Sequence, residues 1–214
     1  MDDNDYAPWR HPVKAVPGKK LRRRRNPADQ RLVRTATELF YKRGFQAVGV
    51  DELVKTAGVT KATFYRHFAS KDDLAAVCLE RTIQAELEPL RAIAEGLSGD
   101  PAAQLRALVE AVGRRVSEDE FRGWAPENFA VEIVDLSHPA NLVVRATMGR
   151  VRLVLRRLAE EAAIADPHEF ADTLLLLFEG AGVSRQVFAG GGPSARLMQA
   201  FERLFASHSG ARQL

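Results

Sequence analysis

Residues Val50 to Leu74 read VDELVKTAGVTKATFYRHFASKDDL, and their reading decides the fold: two short helices joined by a glycine turn. Leu53, Val54 and Ala57 recur at helical spacing, which puts three apolar side chains on one face of a helix over about 50–57. Gly58 then ends it, because glycine reaches positive φ without steric cost and lets the chain leave at a steep angle. Thr60 stands where an N-cap hydroxyl accepts an orphan backbone N–H. Val59 before it and Phe64 after it form a hydrophobic staple that fixes how the next helix sets off. Phe64 and Phe68, four residues apart, point inward and leave Lys61, Ala62, Thr63, Tyr65, Arg66 and His67 on or near the outward face. This donor-rich set with little acid suits a helix laid in a major groove, where cations meet phosphates and N-terminal side chains reach base edges. The same pattern also describes a helical hairpin whose polar face is only solvated.

The flanking sequence supplies the context. ATELFYKRGF precedes the pair at 36–45, LVKTAGVTKATFYRHF contains it, and SKDDL opens a further helix at 70–74. With these three in register, the stretch from Arg31 to Leu79 resembles the N-terminal domain of the TetR family of bacterial transcriptional regulators. The resemblance implies that Lys61, Ala62 and Thr63 face bases, that Tyr65, His67 and Lys71 hold phosphates, and that Arg66 belongs to the same surface. One departure stands out. The family commonly offers a Ser or Thr hydroxyl at the start of the second helix, where this chain has Ala47, Val48, Gly49 and Val50. Gly49 caps through its backbone freedom alone, which leaves the phosphate contact there without a donor.

At 214 residues and 46% hydrophobic content the chain is long enough for one or two domains with proper cores. No apolar run approaches a membrane span and the N-terminus lacks a secretory pattern, so a cytoplasmic location with no membrane partner is expected. The single cysteine, Cys78, cannot form an internal disulfide and reads as a small core residue. Net charge is +3, but residues 1–26 hold eight cations against Asp2, Asp3 and Asp5, a local +5 that leaves −2 for the rest. With Pro8, Pro12, Pro17 and the run KKLRRRR, these residues read as a disordered basic arm. Beside a DNA-binding helix such an arm lies along phosphates or in a minor groove, or else is a solvated tail.

Asn26 with Pro27 starts a helix that carries Leu32, Ala36, Leu39 and Phe40 on one face and ends at Gly44, with Phe45 folded back onto Phe40. Ser70 and Lys71 open a fourth helix running to about Leu97, in which Pro89 is expected to make a kink or a break. Asp100 with Pro101, Ser137 or His138 with Pro139, Asp166 with Pro167, and Gly192 with Pro193 each mark a further start. No strand pattern lies between them, so the fold class is all-α. The expected division is a basic arm at 1–26, a three-helix helix-turn-helix domain at 27–73 and a helical ligand-binding and dimerisation domain at 74–214.

In the resembled family the neighbourhood of Glu118 to Val134 lies near the end of the ligand cavity. Phe121, Trp124 and Phe129, with Met148 on the next long helix, are therefore candidate ligand contacts; ordinary core packing is the alternative. Arg145, Arg150, Arg152, Arg156 and Arg157 on one helix suggest a second basic patch, but Glu160 and Glu161 sit an i, i+4 step from the last two and favour surface pairs. LLLLF followed by Gly180, Ala181 and Gly182 leaves room for another helix to approach closely. Leu197, Met198, Phe201, Leu204 and Phe205 make an apolar stripe on the last helix. These two helices form half of a four-helix homodimer interface, or else their stripes are spent inside the monomer.

The expected protein is a homodimeric regulator, a repressor, that binds a double-stranded palindromic operator and lets go when a small-molecule effector enters. It calls for no cofactor and no metal. His11, His67, His138, His168 and His208 are scattered and no phosphate loop is present, so an enzyme is not expected and no catalytic residue is assigned. A helical ligand-binding or scaffold dimer without DNA binding is the rival.

Overall fold

The computed structural model describes residues 27–97, 99–188 and 192–209; the basic arm at 1–26, and with it the cap expected of Asn26, lies outside them. The elements are α1 (Pro27–Arg43), α2 (Val50–Ala57), α3 (Lys61–His67), α4 (Lys71–Gly96), α5 (Pro101–Ser117), α6 (Ala125–Glu132), α7 (Pro139–Glu161), α8 (Pro167–Phe188), a 3-10 turn (Pro193–Arg196) and α9 (Leu197–Ser209). The described residues contain no strand, in keeping with the all-α expectation. None of their helices is long and apolar enough to cross a membrane.

The helix starts show why the sequence could be segmented. Asp100 Oδ1 accepts the Ala103 N–H at 2.9 Å, Asp166 Oδ1 the Glu169 N–H at 3.0 Å, and Ser70 Oγ the Asp73 N–H at 3.0 Å. At α7 the cap is His138, whose Nδ1 accepts the Ala140 N–H at 3.1 Å. One expectation is corrected. Pro193 opens only a 3-10 turn, and the last α-helix begins at Leu197. Pro89 leaves α4 unbroken over 26 residues. What the proline does remove is the N–H that would bond the carbonyl four residues earlier, and that residue, Ala85, ends the N-terminal compact unit.

The chain forms two compact units. The described part of the first comprises 27–85 and 125–147. The physical reason is a shared core. Leu32, Ala36 and Phe40 of α1, Leu53 of α2, Phe64 of α3 and Leu74 and Leu79 of α4 are all buried, and so is Phe129 of α6. The Phe129 ring lies 6.1 Å from Phe40 and 6.0 Å from Phe45, within the range where aromatic edges and faces attract. Cys78 is buried in the same unit, and burial pushes its thiol up to about 12.

The second unit, 86–124 and 148–209 among the described residues, has its own core around Leu105, Val109, Leu155, Phe170, Leu174 and Phe201. Here α9 spends most of its stripe: Leu197 and Phe201 are buried, and Met198, Leu204 and Phe205 pack against the cluster. The inward face of α8 is likewise used by Phe170, Leu174 and Phe178, while Leu176, Val183 and Val187 stand exposed. Their spacing, i, i+7 and i+11, makes one outward apolar line along that helix. The space expected for a neighbouring helix at Gly182 is taken by Trp124, for a Cβ there would come 2.5 Å from the indole Nε1. That indole N–H donates to the Phe178 carbonyl at 3.1 Å.

Candidate nucleic-acid interface

The turn between α2 and α3 is made as its residues dictate. Gly58 sits at φ 64, ψ 41, with its N–H on the Lys55 carbonyl, and the Val59 N–H reaches the Val54 carbonyl at 3.0 Å. This is a Schellman arrangement, which satisfies the last carbonyls of α2 and aims the chain into α3. Thr60 is extended, and its Oγ1 accepts the Thr63 N–H at 3.1 Å. At the other end of α2, Gly49 caps with no side-chain bond, as the missing hydroxyl requires.

α3 turns Phe64 fully inward and Phe68 nearly so, their rings 6.0 Å apart. Lys61, Ala62, Tyr65 and Arg66 are exposed and Thr63 is half-buried. Tyr65 stands edge-on to Phe64 and is 56% exposed. Lys61 Nζ lies 2.6 Å from Asp51 Oδ1, and that hydrogen bond, followed by the attraction of the same carboxylate, raises the lysine's pKa. Asp51 and Glu52 occupy the first turn of α2, where the helix dipole favours them, and Glu52 in turn holds Arg43.

Two residues assigned to phosphates have partners inside the unit. His67 does not face outward: its Nδ1 lies 2.7 Å from Asp29 Oδ1 in the first turn of α1, and both side chains are about four-fifths covered. Lys71 donates to the carbonyls of Phe45 at 3.0 Å and Val48 at 3.1 Å, with its ammonium 4.0 Å above the Phe45 ring. Burial lowers its pKa, against the pull of Asp72 and then Glu132. The outward surface therefore consists of Lys61, Ala62, Thr63, Tyr65 and Arg66, while His67 and Lys71 brace it.

The four ligand candidates are divided between the two units. Phe121 and Trp124 meet in the second unit with ring centroids 5.0 Å apart, and Met148 is a half-buried residue of that unit. Phe129 belongs to the core of the first. Three of the α7 arginines are paired charges: Arg156 bonds Glu160 at 2.7 Å, Arg157 bonds Glu161 at 2.6 Å, and Arg152 holds Asp172. Sequence reading missed Asp29, Asp51 and Glu132 as partners of this surface.

Residues 32–78 match the family described as bacterial regulatory proteins, tetR family. The HTH-type transcriptional activator FasR of Mycolicibacterium smegmatis is 37% identical over 114 residues, 52% of each chain, so this chain spans about half the length of that relative. The transcriptional regulator AcuR of Cereibacter sphaeroides is 30% identical over 191 residues, 85% of this chain and 84% of the relative. Among solved structures, a TetR-family transcriptional regulator from Streptomyces coelicolor aligns with a TM-score of 0.78 and 29% identity, covering 85% of this chain and 96% of that one.

Proposed function

The chain belongs to the TetR family of bacterial regulatory proteins, and from that premise we propose that it is a DNA-binding transcriptional regulator. In this reading it is a repressor that binds a palindromic operator as a homodimer and leaves it when a small-molecule effector binds. The observation that carries the proposal is the outward side of α3. A threonine-capped helix, braced from behind by Phe64 and Phe68, offers Lys61, Ala62, Thr63, Tyr65 and Arg66 together. Lys61, Ala62 and Thr63 sit in the first turn, where a groove-bound helix meets base edges, while Tyr65 and Arg66 reach the flanking phosphates.

A dimer is supported by Leu176, Val183 and Val187, an exposed line on a helix whose opposite face is already buried. Two recognition helices about 34 Å apart then reach successive major grooves on one side of the duplex. An effector acts by favouring a shape in which that spacing is wrong, to the extent that it prefers that shape. Phe121 and Trp124 are the residues of the candidate set proposed to face it, with Met148 of α7 in the same unit.

The test is selection of duplexes from a random pool by the full chain, followed by gel shifts across a salt series with sedimentation of the free protein. A dimer that retains palindromic sites, and loses affinity steeply with salt, is expected. A monomer that retains no duplex even at low salt would refute the reading and leave the scaffold alternative. Since FasR is named an activator, a reporter carrying the selected site then decides the sign of regulation.

A further inference from the structure

The corner between α1 and α2 is held from two sides by residues remote in sequence. Gly44, at φ 85, ends α1 with its N–H on the Phe40 carbonyl at 2.9 Å. From α4, Lys71 takes the carbonyls of Phe45 and Val48. From α6, the Glu132 carboxylate accepts the Gln46 N–H at 3.1 Å and lies directly over Gly44, where a Cβ would come 2.7 Å from its Oε1. His138 adds an edge contact, its ring 5.6 Å from that of Phe45. The corner residues thus have their carbonyls gripped by a cation and an amide gripped by an anion, and Gly49, the first residue past Val48, caps α2.

We propose that Glu132 is a positioning residue for DNA binding: by holding the Gln46 amide and covering Gly44 it fixes the corner from which α2 starts, and so the pose in which α3 is offered. This inference rests on the DNA-binding reading above. The glycine is part of the device. Its left-handed backbone favours glycine, and its bare α-carbon leaves the carboxylate a place that a Cβ would contest. Glu132 does not itself touch DNA, and its negative charge, alone, would repel phosphates. Removing the charge while keeping the hydrogen bond should therefore leave binding intact or strengthen it, whereas removing the hydrogen bond should weaken it.

The experiment compares E132A and E132Q with the unaltered full chain, at a temperature where circular dichroism shows all three folded. Two quantities are read: exchange of the Gln46 amide without DNA, and affinity for a duplex selected by the unaltered chain. For E132A, exchange at Gln46 about tenfold faster is expected, with Phe64 unchanged and affinity about three- to tenfold weaker. For E132Q, whose amide oxygen still accepts the Gln46 N–H, protection is retained and affinity is equal or higher. If E132A does not fold, E132D replaces it, since a carboxylate one methylene shorter cannot reach the amide. E132A binding as tightly as the unaltered chain would overturn the inference. So would E132Q failing as badly as E132A, because charge rather than the hydrogen bond would then be at work. An unaltered chain that retains no duplex at all would instead defeat the DNA-binding reading itself.

Discussion

Phe129→Ala should unfasten the N-terminal unit, although residue 129 lies far along the chain from the helices it supports. The ring is 8% exposed and stands edge-on to Phe40 at 6.1 Å and tilted against Phe45 at 6.0 Å. Truncating a buried phenylalanine costs about 3–5 kcal/mol, and each aromatic pair contributes about 0.5–1.5 kcal/mol within such totals. A loss near 4 kcal/mol is a large part of the roughly 5–15 kcal/mol that holds an ordinary domain folded. Read by amide exchange, it corresponds to about three decades of lost protection in α1 and α2. Protection in α5 and α8, which belong to the other unit, should stay within a few-fold. Phe129→Leu, which keeps apolar volume, should cost less than half as much. The contrary result is as specific. If Phe129→Ala kept α1 and α2 protected to within tenfold and altered only the thermal response to small molecules, the residue would be a ligand contact and its placement in the core of the first unit would be wrong.

Gly182→Ala should drive the Trp124 indole off α8, since the new methyl would stand 2.5 Å from Nε1, and break its bond to the Phe178 carbonyl. A loss of about 1–3 kcal/mol with red-shifted tryptophan emission is expected; unchanged emission would contradict the packing. Thr60→Ala removes the hydroxyl on the Thr63 N–H and should cost about 1 kcal/mol, with faster exchange at Thr63 as the site-specific check. Cys78, with its thiol pushed from 9.0 to about 12 by burial, should resist thiol reagents at pH 8 until the chain unfolds. Because folding holds that proton on, its contribution to stability is present below 9 and declines as pH climbs from 9 toward 12. Fast labelling of the folded chain at pH 8 would refute that.

What the sequence made legible was local. Gly58, Thr60, Asp100 and Asp166 act within a turn of their own backbone, so their residue types suffice to place helix ends, and the observed α2 and α3 match the expected ones. Phe129 was recognisable as an apolar residue with a partner somewhere, but periodicity names a face and never the surface opposite it. The partner of His67 was hidden for a related reason. Five residues of α3 before it make up the outward surface, and the acid that meets its ring, Asp29 of α1, lies nearly forty positions earlier. Gly182 suggested room for a helix; the sequence held no sign that a single indole would fill it. Pro89 was expected to kink or break a helix running to about Leu97, and α4 does run through it to Gly96, since a long helix tolerates one missing hydrogen bond.

The same distinction bears on how the surface works. The side chains of α3 that would select bases are set by seven consecutive residues and a threonine cap, whereas their pose depends on Asp29, Lys71, Phe129 and Glu132, drawn from three other helices. Base preference and affinity should therefore separate on transplantation. Moving Lys61 to His67 into a relative's scaffold carries the outward donors with it, but leaves behind the carboxylate that meets His67 and the two groups that grip the corner at 44–48. The graft should keep the order in which it ranks duplexes while binding all of them more weakly, and restoring Asp29 should recover part of the loss. A graft that ranked duplexes differently would mean that the brace, and not the exposed face, decides which bases are read.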